Sequence, residues 1–362
     1  MPRHAERAAG IVGSLDLTRE LGSTGVAVGA IGLGCWAIGG PFWSSDGQPL
    51  GWGEVDDRES VRAIRRALEL GVTFFDTSDV YGAGHSERVL GQALQGRRDD
   101  VLIATKFGNA FDERTRVVTG SAATAEAIRG ACEASLCRLG TDRIDLYQFH
   151  LSEHDPAAAA EVRDVLEELV TAGLIRSYGW STDDPERARV FASGAHCVAV
   201  QHELSVLHDA PEMLAVCDEH GLASVNRSPL AMGLLTGKFT VAASLPADDI
   251  RSKAPDWLVY FRDGRPAPEW LEKLAAIREI LTSGGRSPAV GALAWILGRS
   301  HRTIPIPGFR TAAQVEQNVG AAGLGPLHAE QMREIDLILG RSGVERPQTT
   351  EGGIGPSTAR NV

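Results

Sequence analysis

The sequence predicts a closed α/β barrel of eight parallel strands and eight helices, the (β/α)8 or TIM barrel. After a short lead-in, apolar segments rich in Val, Ile and Phe alternate with segments of helical periodicity, and the pair occurs eight times in succession. Such a succession favours a closed barrel over its rival, a doubly wound open sheet. Hydrophobic residues make up 43% and charged residues 23% of the 362 residues, which is typical of a folded globular protein.

The individual elements follow from local patterns. Each predicted strand is a short apolar run, and each predicted helix repeats its apolar residues at helical spacing. Prolines after Asp155, Asp184 and Ala210 mark helix starts, and glycines at positions 71, 140, 173 and 221 mark helix ends. The predicted strands are 30–33, 74–76, 101–105, 146–149, 175–180, 197–201, 223–226 and 303–305. The predicted helices are 58–70, 87–94, 125–138, 156–172, 185–192, 211–220, 288–297 and 312–321.

Two segments lengthen loops of this predicted barrel. Residues 41–57 follow the first strand, and residues 230–286 follow the seventh strand and contain an additional predicted helix near 268–283. Both loops would lie at the C-terminal face of the barrel, where the active sites of barrel enzymes are found.

The two ends of the chain are predicted to lie outside the βα repeat. The lead-in contains a predicted hairpin at 15–28, with the glycine-containing segment 22–25 as its turn. Residues 1–342 are predicted to form a single domain that includes this lead-in. Residues 343–362 are rich in Gly, Thr, Pro and Ser, and we expect them to be disordered.

Charge and composition argue against several classes of protein. The net charge is −11 and no block of Lys and Arg occurs, so nucleic acid is not an expected partner. The N-terminus is polar and no apolar run reaches the ~20 residues needed to cross a bilayer, so neither a secretory signal nor a membrane span is expected. The five cysteines are odd in number and form no C-x-x-C, which is typical of reduced thiols in a cytoplasmic protein.

Four polar residues lie at or just after the ends of three consecutive predicted strands. Asp76, Lys106 and His150 close the second, third and fourth strands, and Tyr81 lies in the loop after Asp76. Singly, these residues could be a turn cap, a solvated charge, a loop histidine and a core aromatic. Because the C-terminal ends of neighbouring barrel strands share one mouth, their combination predicts a catalytic site instead.

The same region resembles a known family. The motifs are FFDTSDVYGAGHSERVLGQAL, IATK, SLCRLGTDRIDLYQFH, SPLAMGLLTGKF and IPGFRTAAQVEQNV, which occur in this order within residues 74–319. They resemble the bacterial, NADP-dependent members of the aldo-keto reductase family, and the resemblance extends over about residues 17–339. It implies a catalytic tetrad of Asp76, Tyr81, Lys106 and His150, and no metal.

The chemistry that the resemblance implies is NADP(H)-dependent, reversible reduction of an aldehyde or ketone to an alcohol. The alcohol oxygen needs a proton donor, and tyrosine has an ordinary pKa of about 10. A neighbouring ammonium stabilises tyrosinate, so we expect Lys106, held by Asp76, to lower the pKa of Tyr81. Tyr81 would then act as the general acid, and His150 would orient the substrate oxygen.

The resemblance also implies a set of residues that bind NADP(H). Two departures from the family's pattern affect this set, since Thr182 stands where Asn is common and Arg227 stands where an aromatic ring often stacks on the nicotinamide. A guanidinium plane can also stack, which keeps Arg227 in the set. Arg310 is the candidate partner of the 2′-phosphate, the alternative being a surface charge at a helix start. The implied contacts are Gly34, Cys35 and Trp36 at the ribose; Asp76, Ser181, Gln201 and Arg227 at the nicotinamide; Ser228, Leu230 and Gly233 at the pyrophosphate; and Gly308, Arg310, Gln314, Gln317 and Asn318 at the adenosine.

Two other motifs carry less weight. Residues 150–154 spell H-x-x-E-H, a zinc-peptidase pattern that requires both histidines on one helical face, whereas a predicted strand runs into His150 and Pro156 disfavours helix just before it. Residues 29–34 are rich in glycine but lack the G-x-G-x-x-G order of a dinucleotide-binding fold. Trp43 and Trp52 in the first long loop could form a substrate wall or anchor the loop.

Other functions stay open at this stage. The β subunits of voltage-gated potassium channels resemble the same family, and a nucleotide-binding regulatory or interaction subunit is the alternative to an enzyme. A barrel isomerase or lyase that uses no nicotinamide cofactor is a further alternative. The expected partner is a small carbonyl or alcohol substrate, whose identity depends on the loops.

Overall fold

Eight parallel strands close into a barrel in the computed structural model, which describes residues 17–253 and 255–341. The order around the barrel is β3-β4-β5-β8-β9-β10-β11-β14. The first and last strands meet where Gly32 N donates to Pro305 O at 3.0 Å and Gly34 N donates to Pro307 O at 3.1 Å. The strands are β1 (Thr18–Glu20), β2 (Ala27–Gly29), β3 (Leu33–Gly34), β4 (Phe74–Asp76), β5 (Leu102–Phe107), β6 (Asn109–Asp112), β7 (Val117–Ser121), β8 (Ile144–Phe149), β9 (Ile175–Ser181), β10 (Cys197–Glu203), β11 (Ala223–Arg227), β12 (Phe261–Arg262), β13 (Arg265–Pro266) and β14 (Thr303–Pro305).

Helices surround the barrel and begin largely where the sequence predicts. The side chains of Asp155 and Asp184 accept hydrogen bonds from the first turns of their helices, whereas Ala210 has no side chain that could do so. Gly140 and Gly221 end their helices in the left-handed conformation. The helices are α1 (Asp57–Glu69), α2 (His85–Ala93), α3 (Ala125–Leu139), α4 (Pro156–Thr171), α5 (Pro185–Ala192), α6 (Pro211–His220), α7 (Ile250–Lys253), α8 (Pro268–Thr282), α9 (Pro288–Arg299), α10 (Ala312–Leu324) and α11 (Ala329–Ile338).

The predicted N-terminal hairpin is present and covers the N-terminal end of the barrel. Strands β1 and β2 pair in antiparallel register, with Thr18 opposite Gly29. Leu21 and Val28 are buried against residues of the barrel interior such as Val198. The turn requires glycine at Gly22, whose φ is 61° and where a Cβ would lie 2.2 Å from Val198 O. The hairpin therefore closes the face opposite the strand ends that carry the polar residues.

The structure corrects the first predicted strand. Strand β3 is confined to Leu33–Gly34, although the prediction began at Ala30. Ala30 and Ile31 are completely buried, but they pack against the helices and loops of a different apolar cluster. Their apolar character therefore reflects burial outside the sheet rather than strand formation.

Several elements were missing from the prediction. Strands β6 and β7 form a hairpin after the third barrel strand, and helix α11 follows the last barrel helix. In the second long loop, the short helix α7 and the paired strands β12 and β13 were also not predicted. The sequence of the β6–β7 hairpin shows no regular apolar alternation. Its strands are instead held by backbone hydrogen bonds to the first long loop, where Trp43 N donates to Arg116 O at 2.9 Å and Val118 N donates to Trp43 O at 2.8 Å. Trp43 thus anchors this loop.

Several expectations concern the remaining parts of the chain. The predicted disordered segment 343–362 lies outside the described residues, as does the start of the lead-in. The five cysteines are free, with Cys137 exposed. Among residues 17–253 and 255–341, no helix is long and apolar enough to cross a membrane, and no group of three or more His, Cys, Asp and Glu side chains is arranged to hold a metal. The H-x-x-E-H segment lies in the loop between β8 and α4.

A buried ion pair joins two of the barrel helices beside the candidate site. Glu87 on α2 is fully buried, and Arg138 on α3 donates to it from Nε at 2.6 Å. Thr105 on β5 donates to the other carboxylate oxygen at 2.5 Å. This cluster therefore links α2 and α3 to the strand that carries Lys106.

We expect Arg138→Met to lower the free energy of unfolding by about 3–5 kcal/mol, because it leaves the buried Glu87 carboxylate without its cation. Urea unfolding of the two proteins measures this difference. Arg129→Met is the matched control, since the Arg129–Glu168 pair is exposed and should change the stability by less than about 1 kcal/mol. Equal losses of stability in Arg138→Met and Arg129→Met would contradict the stabilising role of the buried Arg138–Glu87 pair.

Candidate active site

The four candidate catalytic side chains lie together at the C-terminal mouth of the barrel. Asp76 ends β4, Lys106 lies near the end of β5, and His150 directly follows β8. Lys106 Nζ donates to Asp76 Oδ1 at 2.5 Å and to Tyr81 Oη at 3.2 Å. The Tyr81 and His150 rings meet edge to face, with centroids 5.9 Å apart. The geometry thus brings the four predicted residues into one cluster.

Asp76 is held from both sides by the barrel interior. Its Oδ2 accepts hydrogen bonds from Gln148 Nε2 at 2.9 Å and from Gln201 Nε2 at 2.8 Å. Lys106 is completely buried and also donates to Thr77 O at 2.8 Å. Because each oxygen of the carboxylate has a donor, the Lys106 ammonium has one fixed position beneath Tyr81.

The position of Tyr81 depends on the tight turn that follows it. Gly82 has a φ of 61°, and a Cβ there would lie 1.8 Å from Gly39 O. Only glycine allows this approach of the two loops. The Tyr81 ring also stacks on Trp36, with ring centroids 5.8 Å apart. The loop and the tryptophan therefore hold the Tyr81 hydroxyl above Lys106.

Burial, more than charge, governs the titration of Tyr81. Burial raises the pKa of Tyr81 above its ordinary value, and the Lys106 ammonium lowers it by less. Lys106 therefore acts in the expected direction, but the removal of the phenol from water has the larger effect on the pKa. Tyr81 is consequently protonated at neutral pH.

The other two titrating groups have equally defined states. Burial lowers the pKa of Lys106, but Asp76 and Tyr81 outweigh burial and raise it overall, so the side chain is an ammonium. Burial, followed by the positive charges of Lys106 and Arg227, lowers the pKa of His150 well below its ordinary value. His150 is therefore a neutral imidazole at neutral pH, with one nitrogen that donates and one that accepts.

The residues expected at the nicotinamide lie on neighbouring strands. Ser181 and Gln201 are opposite each other in the pairing of β9 with β10. Ser181 is buried, and its hydroxyl makes no hydrogen bond to the residues that the structure describes. Thr182, which replaces the expected Asn, instead donates to Ser152 O at 3.1 Å. Ser181 and Gln201 are thus the polar groups at this position.

Arg227 is fixed at the mouth by two carboxylates. It is the last residue of β11, opposite Glu203 of β10, and it forms ion pairs with Asp183 and, at 3.6 Å, with Glu203. Its positive charge lowers the pKa of both Tyr81 and His150. The guanidinium that replaces the expected aromatic ring therefore lies close enough to act on the catalytic cluster.

The segment expected at the pyrophosphate has an unusual backbone. Ser228 (φ 52°), Ala231 (φ 47°), Met232 (φ 53°) and Gly233 (φ 89°) are all left-handed. Such conformations are costly for residues other than glycine, and they cluster at functional sites. Leu230 is buried within this turn.

The residues expected at the adenosine lie around the start of α10. Arg310 N donates to Gln314 Oε1 at 2.7 Å, and the Arg310 guanidinium donates to the backbone carbonyls of Trp52, at 3.1 Å, and Glu54. Gln317 Nε2 donates to Ser287 Oγ at 3.1 Å. Asn318 Nδ2 donates to Gly308 O at 3.3 Å. The side chains of Gln314 and Gln317 are therefore engaged within the protein.

The two long loops meet beside the mouth. Ile250 N donates to Gly51 O at 2.8 Å, which joins the loop after β3 to the loop after β11. The buried Arg251 side chain donates to Met232 O at 3.1 Å, and its guanidinium lies 4.4 Å from the centre of the Trp52 ring. Trp52 in turn meets Trp36 edge to face at 5.5 Å. Trp52 thus belongs to the wall of the mouth.

Sequence reasoning missed two polar residues of this cluster. Gln148 lies in β8, two positions before His150, so the alternation of side chains could have placed it at the mouth. Ser78 has its Oγ 3.2 Å from His150 Nδ1. No local pattern predicts that contact, because the two residues are 72 positions apart.

Comparison with known proteins agrees with this fold. The sequence model of the Aldo/keto reductase family matches residues 30–339. Aldo-keto reductase YhdN of Bacillus subtilis is 33% identical over 326 residues, which cover 88% of this chain and 92% of that protein.

Two solved structures extend the comparison. The glycerol dehydrogenase AKR11B4 of Gluconobacter oxydans is 30% identical, with a TM-score of 0.75 over 93% of this chain and 99% of that one. An aldo-keto reductase from Klebsiella pneumoniae, solved in complex with NADPH, is 26% identical, with a TM-score of 0.65 over 89% and 95% of the respective chains. On these grounds the chain belongs to the aldo/keto reductase family.

Proposed function

We propose that this protein catalyses the NADP(H)-dependent, reversible reduction of an aldehyde or ketone to an alcohol, with Tyr81 as the proton donor. The observation that carries the proposal is the position of Lys106 Nζ, 2.5 Å from Asp76 Oδ1 and 3.2 Å from Tyr81 Oη. A phenol beside a fixed ammonium is suited to donate a proton and to keep the resulting charge stable.

The residues around the mouth fit a nicotinamide dinucleotide. The hydroxyl of the buried residue Ser181 can donate to a carboxamide beside Gln201. At Gly308 even a Cβ would have no neighbour closer than 3.9 Å, which leaves room at the adenosine end. Relatives that bind NADPH or are named for NADP(+) support the phosphorylated form of the cofactor.

When bound, NADPH supplies a hydride to the carbonyl carbon of the substrate. Tyr81 donates its proton to the carbonyl oxygen, on which negative charge develops. Lys106 stabilises the tyrosinate that remains, and Asp76 keeps the ammonium in place. His150, neutral and adjacent to Tyr81, hydrogen-bonds to the same oxygen and orients it. Trp36, Trp52 and the half-exposed Trp257 present apolar rings to the rest of the substrate.

Oxidation of NADPH in the presence of a panel of aldehydes and ketones tests the proposal. Steady consumption of NADPH that depends on the carbonyl supports it. Binding of NADPH without turnover of any carbonyl would favour a regulatory or interaction subunit, and failure to bind NADP(H) would favour a barrel isomerase or lyase.

We expect NADP(H) to bind more tightly than NAD(H), and Arg310→Ala to remove roughly a tenfold preference, because a charge-assisted contact to the 2′-phosphate contributes ~1.5–3 kcal/mol. The carbonyls of Trp52 and Glu54 hold the guanidinium at the expected adenosine end, and its other N–H groups can face the phosphate. Titration of both cofactors by quenching of tryptophan fluorescence measures the preference.

The control for this substitution is Arg176→Ala. Arg176 is exposed at the opposite end of the barrel, where it pairs with Asp145, and its loss should leave the preference intact. Equal affinities of the two cofactors for the unmodified protein, or a preference that survives in Arg310→Ala, would contradict the role of Arg310.

A further inference from the structure

The hydroxyl of Ser78 bridges a candidate catalytic residue and a buried carboxyl group that the proposed mechanism does not use. Ser78 Oγ lies 3.2 Å from His150 Nδ1 and 3.2 Å from Asp79 Oδ1. Val80 N donates to the same oxygen at 3.4 Å. Ser78 is completely buried and Asp79 is almost so. The three side chains therefore form a short chain of hydrogen bonds that leads away from the mouth.

The directions of these hydrogen bonds depend on one another. A serine hydroxyl has a single hydrogen, so it can donate either to Asp79 or to His150 Nδ1. A neutral imidazole likewise carries one N–H, and the partner of Nδ1 decides which nitrogen holds it. If Ser78 donates to Nδ1, then Nε2 of His150 carries the hydrogen and can donate to a carbonyl oxygen. If Ser78 donates to Asp79, then Nδ1 carries it and Nε2 can only accept.

We propose that Ser78 and Asp79 are positioning residues that set the tautomer of His150, with a proton on Asp79 selecting the tautomer that donates to a carbonyl. The carboxylic acid donates to Ser78 Oγ, Ser78 donates to His150 Nδ1, and Nε2–H faces the substrate. Removal of the Asp79 proton reverses both hydrogen bonds and turns Nε2 into an acceptor. This inference rests on the proposed function for its consequence in catalysis, although the tautomer itself does not.

The surroundings of Asp79 keep the proton in place. Burial and then the Glu87 carboxylate on α2 raise the pKa of Asp79 well above its ordinary value, against the opposing charge of Arg138 on α3. From β8, the buried Tyr147 hydroxyl, which has no hydrogen-bond partner among the described residues, also lies within the field of Asp79. Because the pKa is raised, Asp79 keeps its proton to a higher pH than an ordinary aspartic acid does.

His150 stays neutral over the same range. Lys106 on β5 and Arg227 on β11 face it with positive charge and, together with burial, lower its pKa well below the ordinary value. A change of its tautomer therefore reports on Asp79 and not on protonation of the ring. In the proposed arrangement, the proton on Asp79 sets the chain of hydrogen bonds for reduction of a carbonyl.

Nitrogen NMR of the full-length protein labelled with ¹⁵N-histidine reads the tautomer without substrate. The chain has 10 histidines, and the signal of His150 is the one that disappears in His150→Gln. We expect the Nε2–H tautomer at neutral pH and a change to Nδ1–H in alkaline solution. Asp79→Asn should keep Nε2–H throughout, because its amide donates to Ser78 as the carboxylic acid does. An Nδ1–H tautomer at neutral pH, or an alkaline change that persists in Asp79→Asn, would overturn the proposal.

Substitution of Ser78 links the tautomer to the reaction. Ser78→Ala should give a mixture of tautomers and lower kcat for carbonyl reduction about threefold to tenfold, the loss expected for one hydrogen bond, with the affinity for NADPH unchanged. Ser78→Thr retains a hydroxyl and should restore the tautomer and most of kcat. Ser60→Ala, which removes a buried hydroxyl from α1, is the matched control and should change neither.

The outcomes separate this inference from the proposed function. A His150 tautomer that is already mixed in the unmodified protein, or that Ser78→Ala leaves unaltered, overturns the role of Ser78 even if the protein reduces carbonyls. Conversely, the expected tautomers in a protein that turns over no carbonyl with NADPH would leave the chain of hydrogen bonds intact and remove the proposed function.

Discussion

Tyr81→Phe should lower kcat for carbonyl reduction by at least about 10²–10⁴-fold, the contribution that general acid catalysis typically makes. The substitution removes only the hydroxyl, and Lys106 Nζ, 3.2 Å from it, retains Asp76 as its partner. Because the proton is needed in the transition state rather than for binding, the affinity for NADPH should hardly change. Steady-state kinetics combined with cofactor titration measures both quantities.

Two further substitutions serve as references for Tyr81→Phe. Tyr178→Phe removes a hydroxyl that donates to Glu167 at 2.6 Å outside the mouth, and it should leave kcat unaltered. His150→Ala should retain more activity than Tyr81→Phe if His150 chiefly orients the substrate. A Tyr81→Phe protein within a few-fold of the unmodified one would mean that another group donates the proton.

Lys106→Met should reduce kcat to a similar extent, since it leaves the tyrosinate without a neighbouring cation. Lys106 lowers the pKa of Tyr81 against the larger effect of burial, so its loss should raise that pKa further. Oxidation of an alcohol requires tyrosinate, and its rate should therefore rise with pH as Tyr81 loses its proton. In Lys106→Met the same rise should occur at higher pH.

The pH dependence of alcohol oxidation with NADP⁺ measures this shift. Lys273→Met removes an exposed ammonium that lies over the Trp270 ring, and it should alter neither the rate nor the profile. Circular dichroism checks that Lys106→Met is folded, because Asp76 loses its buried cation. A folded Lys106→Met protein whose profile coincides with that of the unmodified protein would rule out the coupling of Lys106 to Tyr81.

Local patterns were sufficient for most of the barrel. Seven of its eight strands and its surrounding helices were predicted within a few residues, because a buried strand is a continuous apolar run whichever strands pair with it. The exceptions are elements whose stability depends on distant partners. Strands β6 and β7 are held by Trp43 of the first loop, and Ala30–Ile31 are buried by contacts outside the sheet.

The candidate site likewise contains residues that local sequence patterns predicted and others whose roles they did not settle. Asp76, Lys106 and His150 could be recognised because each closes or directly follows a predicted strand, and parallel strand ends in a barrel must share one face. The sequence alone therefore predicted that these side chains lie at the same mouth of the barrel. The roles of Arg310 and Arg227 in cofactor binding remain proposals, since the structure shows them bonded to Trp52, Glu54 and Asp183.

The sequence by itself determined the order of strands and helices, the mouth at which the polar residues meet and the family to which they are similar. Only the tertiary structure decided the direction of the pKa shift of Tyr81 and the contact of Ser78 with His150. The first depends on how much water is excluded around the phenol, and the second on two loops that are 72 residues apart. Both are properties of the packed chain, because burial and distance arise only when remote segments are brought together.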